Sequence, residues 1–155
     1  MASDGYGFEL PLLLFAGFRA IIDELHTELG RRGHPDLRPA HGFAMQAVGL
    51  GGTTATEAAR RLGVSKQAAG KTFDRLAELG YVERLDDAAD RRRKLIRLTP
   101  RGVEALTASA MIFSQIRAKW AAELGASKLA ELEESLRVMA PPQIFRLDVP
   151  GWFGG

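Results

Sequence analysis

Lys66, Gln67, Gly70, Lys71, Asp74 and Arg75 recur at intervals of three and four along VSKQAAGKTFDRLAELGY, opposite Ala69, Phe73, Leu76 and Leu79. That spacing predicts a helix with one apolar side and one side carrying the groups a DNA major groove accommodates. Lysine and arginine reach guanine acceptors or phosphates, and glutamine pairs with adenine. The first amides of such a helix, here behind a Ser65 cap, favour a phosphate. Gly70 is the odd member, since glycine inside a helix costs about 1 kcal/mol relative to alanine. Its missing side chain allows close approach either to DNA or to another packed helix.

A second charged group follows in RLDDAADRRRKLIRLTPRG, where Arg91, Arg92, Arg93 and Lys94 stand directly behind Asp86, Asp87 and Asp90. Taken alone, such a run reads as a solvated loop. Its place in the chain changes the reading. YVERL and RKLIRLT have the composition of two strands, so the run becomes the tip of a hairpin. A basic hairpin behind two short helices forms a wing, whose arginines suit the negative potential of a narrow minor groove. Asp90, with Asp86 or Asp87, would restrain the loop and its arginines by local pairing.

The elements that must hold these groups follow from periodicity and punctuation. PLLLFAGFRAIIDELHTELG, residues 11–30, places Leu14, Phe18, Ile22, Leu25 and Leu29 in one stripe between Pro11 and Gly30, an amphipathic helix. A second helix starts behind Pro39 and ends at Gly49 to Gly52. Thr54 and Glu57 have the spacing of a reciprocal capping box for a helix from Ala55 to Leu62, closed by Gly63. With the helix capped by Ser65 this makes a helix-turn-helix. Thr99 and Pro100 open a long helix to Leu124, and Ser127 is expected to cap a last one running to about Met139, ahead of Pro141 and Pro142. The fold class is therefore mainly α with a small β-hairpin wing.

Composition narrows the chemistry. The 155 residues carry a net charge of +2, but residues 53–102 hold 12 basic against 7 acidic side chains, a local +5, flanked by 4 against 6 in residues 1–52 and 5 against 6 in residues 103–155. Basic charge gathered in the middle third suits local contact with a polyanion. There is no cysteine, which excludes disulfides and thiolate chemistry and fits a reducing, cytoplasmic setting. No window approaches a membrane span. His26, His34 and His41 are spaced by eight and seven, so no two are helical neighbours suited to a shared metal. Ser65, Ser109, Ser114, Ser127 and Ser135 lack a nucleophile signature, no phosphate-cradling glycine loop occurs, and Glu131, Glu133 and Glu134 read as a wet helix face. Neither an enzyme, a metal centre nor a cofactor is expected.

From Thr54 to Gly102 the chain resembles the MarR family of transcriptional regulators. The likeness rests on the helix-turn-helix, on Asp90-x-Arg92 in the wing, and on Leu98, Thr99 and Gly102 as Leu-Thr-x-x-Gly; with the flanking helices it extends over about residues 10–140. The resemblance implies an N-terminal dimerisation helix (1–36), a winged helix-turn-helix (37–102), C-terminal dimerisation helices (103–140) and a tail (141–155). It implies a homodimeric repressor on pseudo-palindromic double-stranded DNA, released by a small-molecule effector. Ser65, Lys66, Gln67, Gly70, Lys71, Arg75, Arg91, Arg92 and Arg93 would contact DNA, and Asp90 and Asp74 would restrain the wing. An effector pocket between the dimer helices and the winged domain has Phe15, Phe18, His41, Phe43, Phe113 and Trp120 as candidate lining, though most of these positions suit a core equally. Gly70 and the tail depart from the family pattern. The alternative is a winged-helix module whose basic face binds an acidic protein.

Overall fold

The computed structural model describes residues 7–90 and 92–140; Arg91 and the tail expected at 141–155 lie outside them. Helix α1 runs over Glu9–Arg31, two residues earlier than Pro11 suggests. Proline is tolerated in its first turn because the amides there have no intrahelical acceptor. Only the second half of α1 is buried, through Ile22, Leu25 and Leu29, while Leu10, Leu12, Leu13, Leu14, Phe15 and Phe18 are exposed. Helix α2, Pro39–Val48, starts on Pro39 as expected and buries Ala44, Met45 and Val48.

The helix-turn-helix comprises α3, Ala55–Leu62, and α4, Lys66–Glu78. Gly63 ends α3 at φ 67°, the left-handed region that glycine enters without a Cβ penalty. Thr54 caps α3 by accepting the Glu57 amide at 3.1 Å. The expected return bond from Glu57 is not made, because its carboxylate is held by Arg60 and Arg61. Ser65 caps α4 by accepting the Ala68 amide at 3.1 Å.

Three strands follow the order β1-β3-β2. Strands β2, Val82–Asp86, and β3, Lys94–Leu98, form the antiparallel wing stem, with Val82 opposite Leu98 and Asp86 opposite Lys94. Strand β1, Thr53–Thr54, pairs with Ile96 and Leu95 of β3 and was not foreseen, since two residues carry no period. Gly52 makes that pairing possible: its φ is 75°, and a Cβ there would stand 2.9 Å from the Ile96 carbonyl oxygen.

Helix α5, Pro100–Leu124, returns along α1, and α6, Ala126–Met139, folds back on α5. The expected Ser127 cap is not used: Gly125 takes the cap position, its carbonyl accepts the Leu129 amide at 3.1 Å, and Ser127 lies inside the first turn. The core is continuous from α1 through the winged domain, with Phe73 and Leu76 of α4, Tyr81, Ile96 and Ile112 at its centre.

Recognition helix and wing are joined to the rest at one corner. After α4, Gly80 turns at φ 85° and Tyr81 is fully buried. The Thr99 hydroxyl donates to the Gly80 carbonyl at 2.6 Å and accepts the Gly102 amide at 3.2 Å, while the Thr99 amide donates to the Tyr81 carbonyl at 3.1 Å. A Cβ on Gly102 would collide with that Tyr81 carbonyl. The Thr-x-x-Gly spacing is thus a steric and hydrogen-bonding requirement of the corner. Gly102→Ala is expected to destabilise the protein by about 1–3 kcal/mol through overpacking against backbone that cannot move aside. Urea unfolding checks this; an unchanged midpoint would refute the role.

Candidate nucleic-acid interface

Along the outer face of α4, Lys66, Gln67, Lys71, Asp74 and Arg75 are exposed and Gly70 is half-buried. Ser65 is committed to its cap but keeps a hydroxyl proton to donate. Around Gly70 nothing lies within 4 Å of where a Cβ would stand. Close packing on another helix, the alternative for this glycine, is therefore absent among the described residues.

Charge pairing separates the cations of the basic segment into two groups. Glu57 holds Arg60 and Arg61, Glu78 holds Arg75 at 3.0 Å, Asp74 holds Arg84 at 2.9 Å, Glu83 holds Arg97, and Asp86 holds Lys94. In the wing, Asp87 accepts the Ala89 amide at 2.9 Å and Asp90 accepts the Arg92 amide at 3.0 Å. Asp87 and Arg93 also close the loop through a backbone bond of 3.1 Å. Every acid of residues 53–102 is thereby engaged; of the five cations left without an acidic partner among the described residues, Arg101 is taken up by the Gly33 carbonyl and the Tyr81 ring, which leaves Lys66, Lys71, Arg92 and Arg93. These four sit on the recognition helix and on the wing.

Two expectations are corrected by this geometry. Asp90 restrains the wing by accepting the Arg92 amide, and among the described residues its carboxylate pairs with no arginine side chain. Asp74 reaches Arg84 on β2, which also donates to the Gly70 carbonyl at 3.4 Å, so it clamps α4 to the wing stem and does not touch the wing tip. Both partners are substantially exposed, and such a pair adds at most about 1 kcal/mol of stability; its effect is to fix an angle. Arg84 carried no motif in the sequence, and only its side-by-side placement with Asp74 reveals it.

Among the described residues, none of three cavities is lined by all six residues expected of an effector pocket. Phe43 and Phe113 border a space between α1, α2 and α5 of about 40 Å³, far below the roughly 300 Å³ at which small-molecule sites begin. Phe113 and Trp120 border a separate groove with α6, His41 faces a third cavity, and Phe15 and Phe18 lie on the exposed half of α1.

Sequence reasoning missed a cluster behind the corner. His34, buried, is hydrogen-bonded through Nδ1 to the Tyr81 hydroxyl at 2.7 Å, and its Nε2 lies 3.3 Å from a Glu104 oxygen without hydrogen-bond geometry. The Arg101 guanidinium covers the Tyr81 ring at 4.7 Å and donates to the Gly33 carbonyl. Burial pushes the Tyr81 phenol above its ordinary pKa, against the Arg101 charge that lowers it, so the tyrosine stays neutral. No spacing in the sequence links residues so far apart.

Residues 36–93 match the family model for the MarR family. The reduced form of MarR from E. coli superposes with a TM-score of 0.71 at 25% identity, covering 85% of this chain and 96% of that one. A mutant of the same protein complexed with operator DNA gives 0.69 at 25%, covering 90% and 100%. YusO from Bacillus subtilis shares the fold, at 0.69 and 23%, with the same coverage. Among curated proteins nothing matches the chain.

Replacing Gly70 separates helix stability from ligand approach. Gly70→Ala is expected to stabilise the fold by up to about 1 kcal/mol, since no neighbour opposes the methyl group, and to weaken binding to duplex DNA. Thermal unfolding and fluorescence anisotropy read the two effects; tighter or equal DNA binding would remove Gly70 from the interface.

Proposed function

Because residues 36–93 match the MarR family model on a winged-helix fold, we propose that this chain acts as a homodimeric transcriptional repressor of that family on a pseudo-palindromic operator. Lys66, Gln67 and Lys71, with Ser65 and Gly70, enter the major groove at the start of α4, and Arg92 and Arg93 follow the adjacent minor groove. The observation that carries this reading is the pairing pattern: acids neutralise Arg60, Arg61, Arg84, Lys94 and Arg97 and leave Lys66 and Lys71 of the helix and Arg92 and Arg93 of the wing unpaired among the described residues. Arg75, held by Glu78, is a secondary contact at most. That a mutant of the E. coli relative has been solved in complex with operator DNA supports DNA as the partner.

Dimerisation is proposed from α1. Its first half exposes Leu10, Leu12, Leu13 and Leu14 on several sides, an apolar patch that a monomer in water would rarely keep. A second copy, meeting it with α5 and α6, would set two recognition helices about one DNA turn, roughly 34 Å, apart. Release by a small molecule completes the reading, with a site other than the 40 Å³ space beside Phe43 and Phe113.

Fluorescence anisotropy on the gene's upstream DNA and on a scrambled duplex, at two salt concentrations, tests the proposal. Selective binding is expected, with log affinity falling by about 0.9 per phosphate contacted against log salt. Equal, weak binding to both duplexes would instead favour a protein-interaction module. Arg92→Ala should weaken operator binding by about 1–3 kcal/mol with the fold intact, and light scattering at micromolar concentration should give the mass of two chains. Wild-type affinity in that variant would remove the wing assignment, and a single-chain mass would remove the dimer.

A further inference from the structure

An apolar groove of about 250 Å³ runs between the second half of α5, the length of α6 and Ile21 of α1. Its walls include Phe113 and Trp120 of α5 and Leu129, Leu132 and Leu136 of α6, and the ion pair of Arg117 and Glu133, at 2.7 Å, stands at its rim. Of the 14 residues of α6 only Leu129 is buried, while Leu132 and Leu136 keep 38% and 41% of their surface exposed. A helix this short is marginal in water unless one face is packed. The described residues cover that face at its first turn only.

Residues 141–155, PPQIFRLDVPGWFGG, continue from the end of α6. Ala140 is already extended, at ψ 145°, as the following proline requires. Two prolines favour an extended path of about 3.1 Å per residue, so Phe145, five residues beyond Ala140, has a reach of about 15 Å. At 1.5 Å per residue, Leu136 and Leu129 lie about 6 and 16 Å back along α6. In FRLDV apolar and charged residues alternate, and an extended segment of that pattern turns Phe145, Leu147 and Val149 to one side and Arg146 and Asp148 to the other.

We propose that this groove is the docking site of the chain's own tail, with Phe145 and Leu147 seated between α1, α5 and α6 and with Arg146 and Asp148 turned outward to the charged rim. The tether favours this occupant, since a short linker holds the segment at an effective concentration on the order of millimolar, which a separate partner must match. A second copy has a different surface to meet: the apolar residues exposed on α1 include Leu10, Leu12, Leu13 and Leu14 in its first half, whereas the groove touches α1 at Ile21. The inference does not depend on the DNA binding proposed above.

The chain has no cysteine and two tryptophans, so an engineered thiol pair and a single fluorophore both report without ambiguity. In the full chain, Leu132→Cys with Leu147→Cys is expected to close a disulfide within one chain on mild oxidation. It should form about tenfold faster than in Glu131→Cys with Leu147→Cys, where the first thiol lies on the exposed side of α6. In Trp152→Phe, Trp120 reports on the groove: adding Phe145→Ser and Leu147→Ser should shift its emission to the red and raise its quenching by acrylamide, with circular dichroism confirming an unchanged fold. Equal rates for the two thiol pairs, or disulfides that join two chains, would overturn the docking. So would an unchanged Trp120 signal in the serine variant; if that signal then moves on dilution, the groove belongs to a second copy.

Discussion

The position of the recognition helix depends on one close approach, that of the Gly102 backbone to the Tyr81 carbonyl. Because no side chain fits between them, the start of α5 can lie directly against the corner that ends α4. Thr99 then serves both sides at once, donating to Gly80 and accepting from Gly102. The corner also begins β2, so α4, the wing and α5 share a single joint made of backbone atoms. A joint of that kind has few rotamers to lose, which makes it stiffer than one built from long side chains. Tyr81 adds the apolar half of the same contact by filling the core beneath, its hydroxyl satisfied by His34.

Charge has a different part. The ion pairs of the winged domain lie at the surface, and each contributes at most about 1 kcal/mol, too little to decide the fold. Their effect is on the field. By neutralising Arg84, Arg97 and Lys94 along the wing stem, they leave the unpaired cations of the described segment, Arg101 at the corner apart, at the start of α4 and the tip of the wing. An even spread of the same net charge would attract any polyanion to any face; a focused one selects an orientation at encounter. The Asp74–Arg84 pair does this twice over, removing a stray cation and fixing the angle between helix and wing.

What the sequence disclosed was whatever repeats or punctuates locally. The apolar period of α4, the Ser65 and Thr99 caps, Pro39 and Pro100 at helix starts and the two strands around the basic loop all follow from neighbours within a few residues. The errors share a cause. Strand β1 is too short to show a period, Glu57 was drawn to arginines on its own helix, and Ser127 lost the cap position to a glycine that could take φ 93°. The tertiary placements were out of reach: nothing ties His34 to Tyr81 or Asp74 to Arg84 until the chain is folded. Among the aromatic residues named as candidate pocket lining, Phe43, Phe113 and Trp120 pack against the core, as their types equally allowed, since type alone does not say which side of a helix faces which neighbour.

The corner also constrains how α1 and α5 can act on α4 and the wing. The turn after α1 meets it twice, through His34 on the Tyr81 hydroxyl and through the Gly33 carbonyl on Arg101, which itself covers the Tyr81 ring. A displacement of α1 relative to α5 must therefore either break these contacts or carry Tyr81 with it. Carrying Tyr81 moves the end of α4 and the root of the wing together, because its amide donates to Leu76 of α4 and β2 begins at the next residue. Breaking them would strand a buried imidazole and a buried phenol without partners, at about 1–3 kcal/mol for each unsatisfied group. The first course is the less costly, so motion at α1 passes to helix and wing as one rigid unit, and their mutual angle, held by Asp74 and Arg84, is preserved.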